Sequence, residues 1–262
     1  MSKNDMIKES NNLIIIVVLA LFLILSLGYI AYDKYFIKLS ERSDSKTVQK
    51  DNKKEVSTIK YNKDGYFIQN LMDSIVYKSG IDHREYQLYT KDKVTVDDLS
   101  DYYKDTIIHR VVGKDYFTTA ELEKASKELF GKNVYGTYPQ TLTAGCKQYA
   151  LSGDQYNFDP NGGGCGGTGY TYYDMIKKVD SDENHIYVYQ VVGFSCSEGI
   201  CKDVKAGNED YEFNTSNTVK KINHPDDVEM KDIADDLNTY KFTFTYDKTN
   251  NIYYFESVEK EK

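Results

Sequence analysis

The sequence predicts an α+β protein tethered at its N-terminus, and three observations carry that reading. Between residues 65 and 130 apolar residues recur at three-and-four spacing, the period of helices packed on one face. Beyond Gly131 the alternation becomes two-residue and β-branched and aromatic residues accumulate, the pattern of antiparallel strands. Ahead of both, Leu13 to Tyr32 contain no charged residue. Helical stretches first and strands afterwards point to α+β rather than to alternating βαβ units.

Residues 1–12 form a short polar tail. In the run that follows, only Ser26 and Gly28 interrupt the apolar sequence. At ~1.5 Å per residue, about 20 residues cross a hydrocarbon core of roughly 30 Å, so 13–32 reads as a single transmembrane helix with the lipid bilayer as its partner. A cleaved signal peptide is the alternative: Lys3 and Lys8 make a basic start, and Ser26-Leu27-Gly28 offers small residues for cleavage. The apolar run is longer than a typical signal-peptide core, which favours an uncleaved signal-anchor. Lys3 and Lys8 precede it, while Lys34, Lys38, Arg42, Lys46 and Lys50 closely follow, a bias that would leave the larger part in the cytoplasm. A long trailing domain translocates largely regardless of charge, and every cysteine lies beyond the span, so the expected site of the C-terminal domain is extracytoplasmic. Residues 33–60 are charged and polar with almost no periodicity after Leu39, a stalk.

Residues 61–262 are long enough to bury one core. In DGYFIQNLMDSIVYKSG, residues Phe67, Ile68, Leu71, Met72, Ile75 and Val76 make an apolar stripe that Gly80 would stop. A short strand is expected at 86–90 (YQLYT). Thr95 with Asp98 resembles a capping box opening a helix that carries Leu99, Tyr103, Ile107 and Val111. A cleaner box, Thr118 with Glu121, opens a helix with Leu122, Ala125, Leu129 and Phe130 on its stripe and Gly131 at its end. Strands follow at 186–194, 240–246 and 252–258, the last two joined by DKTNN; weaker ones are expected at 134–138, 146–151, 170–178 and 209–222. Residues 223–238 offer a short helix with Pro225 in its first turn. The order resembles that of cystatin-like and NTF2-like folds, in which helices pack on one face of a curved antiparallel sheet. That likeness of layout assigns no function.

The chain's formal net charge is −8, while the stalk holds eight Lys or Arg against five Asp or Glu, so the acidity lies in residues 61–262. Nucleic acid demands a basic footprint and is excluded as a partner; anionic polymers and membrane surfaces would be repelled. Tryptophan is absent while tyrosines number 25, so buried rings must carry hydroxyls with them.

The stretch FDPNGGGCGGTGY (158–170) holds the densest glycines. A phosphate cradle would continue into a helix, with GK and a hydroxyl in the P-loop case; here a strand-like TYY run follows. Asn157, Asp159 and Asn161 with Gly162 match the opening of a calcium loop, a weak candidate because Thr168 stands where the bidentate glutamate belongs and Pro160 intrudes. The alternative is that these residues simply make a turn. TLTAGC (141–146) is similar to the TLxTC of sortases, which would make Cys146 a transpeptidase nucleophile with His83 upstream. The arginine expected downstream is missing, since Arg42, Arg84 and Arg110 all precede the cysteine. TAGCK also resembles the cysteine motif of L,D-transpeptidases, with Lys147 in place of arginine and no histidine between His109 and Cys146. A metal site is not implied: Cys146, Cys165, Cys196 and Cys201 lack zinc-knuckle spacing, and His83, His109, His185 and His224 share no ligand spacing. The acidic run Asp226, Asp227, Glu229, Asp232, Asp235 and Asp236 reads as a solvated face.

An even number of cysteines beyond the span favours disulfides over four unpaired thiols. Cys196 and Cys201 bracket Ser-Glu-Gly-Ile, a reversal, and Cys146 and Cys165 lie near the ends of an apparent hairpin, so 146–165 with 196–201 is the preferred of three connectivities. LFGK (129–132), GCGG (164–167) and the closing YKFTFTY…YYFESVEK resemble segments of uncharacterised single-pass membrane-anchored proteins of low-GC Gram-positive bacteria. That resemblance implies a surface location and carries no activity. The expected function is therefore a membrane-anchored binding or scaffolding domain without a cofactor, with a protein partner in the envelope. Alternatives are a component of a secretion or conjugation assembly, and a transpeptidase or hydrolase using Cys146.

Overall fold

The computed structural model describes residues 60–76, 84–164, 172–197, 199–206, 211–213, 217–221 and 228–262. The chain is α+β, with three α-helices and antiparallel sheets among these residues. No helix among them is long and apolar enough to cross a membrane; Leu13–Tyr32, like the tail and nearly all of the stalk, lies outside them.

Helix α1 (Tyr66–Ile75) buries Ile68, Met72 and Ile75 of the predicted stripe, and Val76 is buried just beyond it, but Leu71 is half-buried and Phe67 exposed; the helix ends at Ile75, ahead of the expected stop at Gly80, which lies outside the described residues. Strand β1 (Lys93–Thr95) follows a segment that departs from expectation. Residues Arg84–Tyr89 form a 3₁₀ turn, not a strand. Its three-residue period puts Tyr86 and Tyr89 on one side, where both meet Phe194 edge-on at 5.3 and 5.6 Å. The Thr95–Asp98 box forms, yet it caps only the short turn Val96–Asp98. Helix α2 (Asp101–Val112) starts one step later, at Ser100, whose Oγ accepts from Tyr103 N; Gly113 ends it at φ 65°. Gln87 binds Ser100 twice, donating to Oγ at 3.0 Å and accepting its N–H at 2.7 Å, so tertiary contact selects this cap. After β2 (Tyr116–Thr118), helix α3 (Thr119–Phe130) has the predicted box, buried stripe and Gly131 end.

Four strands then make a small antiparallel sheet in the order β2-β5-β4-β3: β3 (Thr141–Ala144), β4 (Lys147–Ser152) and β5 (Gln155–Asp159) with β2. The expected strand at 134–138 is irregular chain. The large sheet runs β1-β13-β12-β7-β8-β11, with β6 on the other side of β7. Its members are β6 (Tyr172–Ser181), β7 (His185–Cys196), β8 (Gly199–Cys201), β11 (Thr218–Lys220), β12 (Asn238–Asp247) and β13 (Ile252–Lys260). Strands β9 (Val204–Ala206) and β10 (Tyr211–Phe213) pair separately. Where a helix was expected at 223–238, residues 228–237 form a 3₁₀ turn (Met230–Asp232) and further turns; Pro225 lies outside the described residues.

Strand β7 is central. Ile186, Val188, Val192 and Phe194 enter the main core, whereas Val191 faces the opposite side, where Ile200, Ile233, Ala234 and Leu237 bury a smaller cluster. Gly193 makes room there: a Cβ would come within 2.7 Å of Ile200. The main core joins α1, α2 and α3 to both larger sheets, with Phe117, Leu142, Tyr149 and Tyr156 from the small sheet and Phe242, Phe244 and Phe255 from the large one.

Candidate functional site

The sequence motifs converge on the β3–β4 reversal. Gly145 and Cys146 form a two-residue loop between Ala144 and Lys147, with φ of 52° and 72°. Such loops need positive φ at both positions; glycine adopts it freely, and a cysteine there costs about 1 kcal/mol or more. Helix α2 grips the loop, Gly145 N donating to Thr106 Oγ1 at 3.1 Å and Cys146 N to Tyr102 Oη at 3.3 Å. From the other side come the glycines of the 161–164 stretch. A Cβ on Gly163 (φ 86°) would stand 2.5 Å from Cys146 O, and one on Gly162 would stand 2.2 Å from Gln148 Oε1. These glycines permit backbone to approach backbone. What meets them is a carbonyl oxygen, the wrong polarity for a phosphate.

Cys146 is disulfide-bonded, so its sulfur is no thiolate. It occupies the tip of a hairpin rather than the end of one; Cys165, its expected partner, lies outside the described residues. His109, on the same side of α2 as Tyr102 and Thr106, lies tilted against the Tyr149 ring at 4.7 Å and meets Phe117 edge-on at 5.3 Å. Its Nε2 faces Lys114 O at 2.9 Å, and burial holds its pKa below the usual histidine value. Lys147 pairs with Asp115 at 2.9 Å.

The second predicted pair is present: Cys196 and Cys201 are bonded across the β7–β8 hairpin, Cα atoms 6.0 Å apart, with Cys201 fully buried. Asn157 and Asp159 lie in β5, opposite Ala150 and Gln148. Asp159 Oδ1 accepts from Asn161 N at 2.9 Å and its carbonyl from Gly162 N at 3.2 Å, a side-chain-braced turn at a strand end. Among the described residues, no three His, Cys, Asp or Glu side chains gather as a metal site. His185 bonds Asp182, a carboxylate held down at about 2 chiefly by the Asn184 N–H and then by Tyr187. Glu229, Asp232, Asp235 and Asp236 are exposed, whereas His83, His224, Asp226 and Asp227 lie outside the described residues.

Two features escaped the sequence reading. Asp105 on α2 is only 6 % exposed, accepts from Tyr135 Oη at 2.7 Å, and is pushed up to about 6 by burial. Nothing in its neighbours marks it for burial, since the apolar stripe read from the sequence runs through Tyr103 and Ile107 instead. An aromatic strip joins α1 to the last hairpin: Tyr61 stacks on Phe67 at 5.6 Å, Phe67 meets Tyr253 at 6.0 Å, and Tyr253 meets Tyr246 at 4.9 Å. Tyr66, next to it, is 73 % exposed. The cysteine turn thus fastens backbone, while the strip presents rings to the surroundings. Compared with family models, curated proteins and solved structures, the chain matches none.

Proposed function

We propose that this is a single-pass membrane protein whose residues 61–262 form an extracytoplasmic binding or scaffolding domain, carried by helix 13–32 and the stalk 33–60. The observation that carries the reading is the Cys196–Cys201 disulfide with a buried sulfur, because such bonds persist in oxidising compartments. The uncharged run Leu13–Tyr32 supplies the anchor. Binding is supported by the strip around Tyr66 and Phe67, since aromatic side chains concentrate where proteins meet partners; the partner class is another envelope protein. Packing of α3 against β13 favours the cystatin-like or NTF2-like layout. A nucleophilic role for Cys146 would require breaking its disulfide first.

The test is a membrane-impermeant thiol reagent applied to cells before and after lysis, with and without reductant. The expected result is labelling only after reduction, already in intact cells. Thiols that react on lysis alone would sink the proposal.

A further inference from the structure

Residues 131–140 join α3 to β3 without regular structure, yet they are fastened at several points. Ser126 Oγ donates to Lys132 O at 2.9 Å and accepts from Val134 N at 3.0 Å. Tyr156 Oη donates to Pro139 O at 2.6 Å, and Leu151 N to Gln140 O at 2.9 Å. Between them Tyr135 Oη donates to Asp105 Oδ1 at 2.7 Å. Three of these fastenings join neutral hydroxyls and amides. Carboxyl groups take the others: Lys132 Nζ meets Asp97 Oδ1 at 2.7 Å and Tyr138 Oη lies 3.4 Å from Glu123 Oε2, both carboxylates open to solvent, whereas the Asp105 carboxyl is only 6 % exposed.

We propose that Asp105 and Tyr135 form a proton-operated latch, which holds the 131–140 connection more firmly in mildly acidic surroundings than in neutral or alkaline ones. An ionised carboxylate offers about four acceptor sites, and one hydroxyl cannot replace its water. Burial therefore penalises the ionised form, and protonation relieves the penalty while leaving a carbonyl oxygen to accept from Tyr135. The surrounding charges do not undo this. On α2, Asp101 disfavours ionisation and Lys104 favours it, both less than burial. Burial first and Asp105 second push the Tyr135 hydroxyl upward, with smaller contributions from Tyr156 on β5 and Tyr138 in the connection. From α3, Glu123 is taken by Lys127 at 2.6 Å and lies 3.4 Å from Tyr138 Oη. Strand β3 contributes only Thr, Leu and Ala, and on β4 Lys147 pairs with Asp115.

The sign follows from linkage. A carboxyl raised from 3.8 to about 6 on folding adds stability that is complete below the lower value and is lost as pH rises through the higher. The experiment uses the full chain in lipid nanodiscs, melted at intervals from about pH 7.5 to about pH 5, as wild type, Asp105→Asn and Tyr135→Phe. Measured against Asp105→Asn, the wild type should gain several degrees on acidification; His109, whose pKa burial holds down, withdraws stability over the same range in both proteins. Tyr135→Phe should keep that gain with the midpoint moved upward, because the donor that favours the carboxylate is gone. In parallel, the Asp105 carboxyl carbon is titrated by NMR, which decides the matter even if Asp105→Asn does not fold. A wild-type-like slope in Asp105→Asn, or a carboxyl carbon titrating with ordinary surface aspartates, overturns the latch.

Discussion

Asp203 shows how one side chain can tie distant parts of a chain. Its Oδ1 accepts from Lys260 Nζ at 2.7 Å and Asn238 Nδ2 at 2.8 Å, and its Oδ2 from Asn217 Nδ2 at 2.6 Å. Burial is the largest influence on this carboxyl and pushes it up, yet the bonds from Lys260 and Asn238 together hold it below the usual range. Its contribution is therefore present above the ordinary carboxylate pKa and fades as pH falls toward the folded value. Asp203→Ala should cost about 2 kcal/mol, read by urea unfolding near neutral pH, because three donors lose their acceptor. Gly199 is constrained differently: at φ 136° an added Cβ would stand 2.1 Å from Lys220 O. Gly199→Ala should cost at least about 2 kcal/mol, and a variant as stable as wild type would refute the close approach of β8 to β11.

Local signals were enough for elements that carry their own caps and period. Helix α3 has a reciprocal Thr118–Glu121 box, a buried stripe and a glycine stop, all within fourteen consecutive residues. Thr118→Ala should lower stability by about 1 kcal/mol, measured as a shift in denaturation midpoint without change in slope. The β12–β13 hairpin was equally legible, since alternating aromatics flank a turn braced by Asp247, which accepts from Thr249 N at 2.8 Å. The Cys196–Cys201 bond closes a small loop of separation five, so Cys196→Ser under oxidising conditions should cost about 2 kcal/mol in the chain-entropy account. Strands β1, β2, β8, β9, β10 and β11 have three residues each, too short to display a period, and no sequence signal marked them singly. The helix expected from Thr95 began at Ser100 because Gln87, thirteen residues away, supplied partners for that cap.

Across the described molecule, one core runs from α1 through both larger sheets. Leu142→Ala in the small sheet and Val188→Ala in the large one should therefore lower the same thermal transition, each by about 2–4 kcal/mol, and calorimetry showing two separately shifted transitions would divide the core in two. Opposed carboxyl groups also shape its pH response. Asp98 and Asp182, both held at about 2 with Lys91 and the Asn184 N–H as their leading causes, withdraw stability in acid, whereas Asp105 withdraws it as pH rises from the ordinary carboxylate value to about 6. The sequence was sufficient for the α+β class, the capped third helix, the closing hairpin and the tight Cys196–Cys201 reversal, because each is written in neighbours a few residues apart. Its expectation of an anchor and stalk comes from the same kind of local composition. The small sheet, the placement of Cys146 at a hairpin tip under α2, the turn at Arg84–Tyr89 and the burial of Asp105 emerged only on folding. Each depends on a partner distant in the chain, and burial and strand pairing are properties of the packed whole that no short window of residues contains.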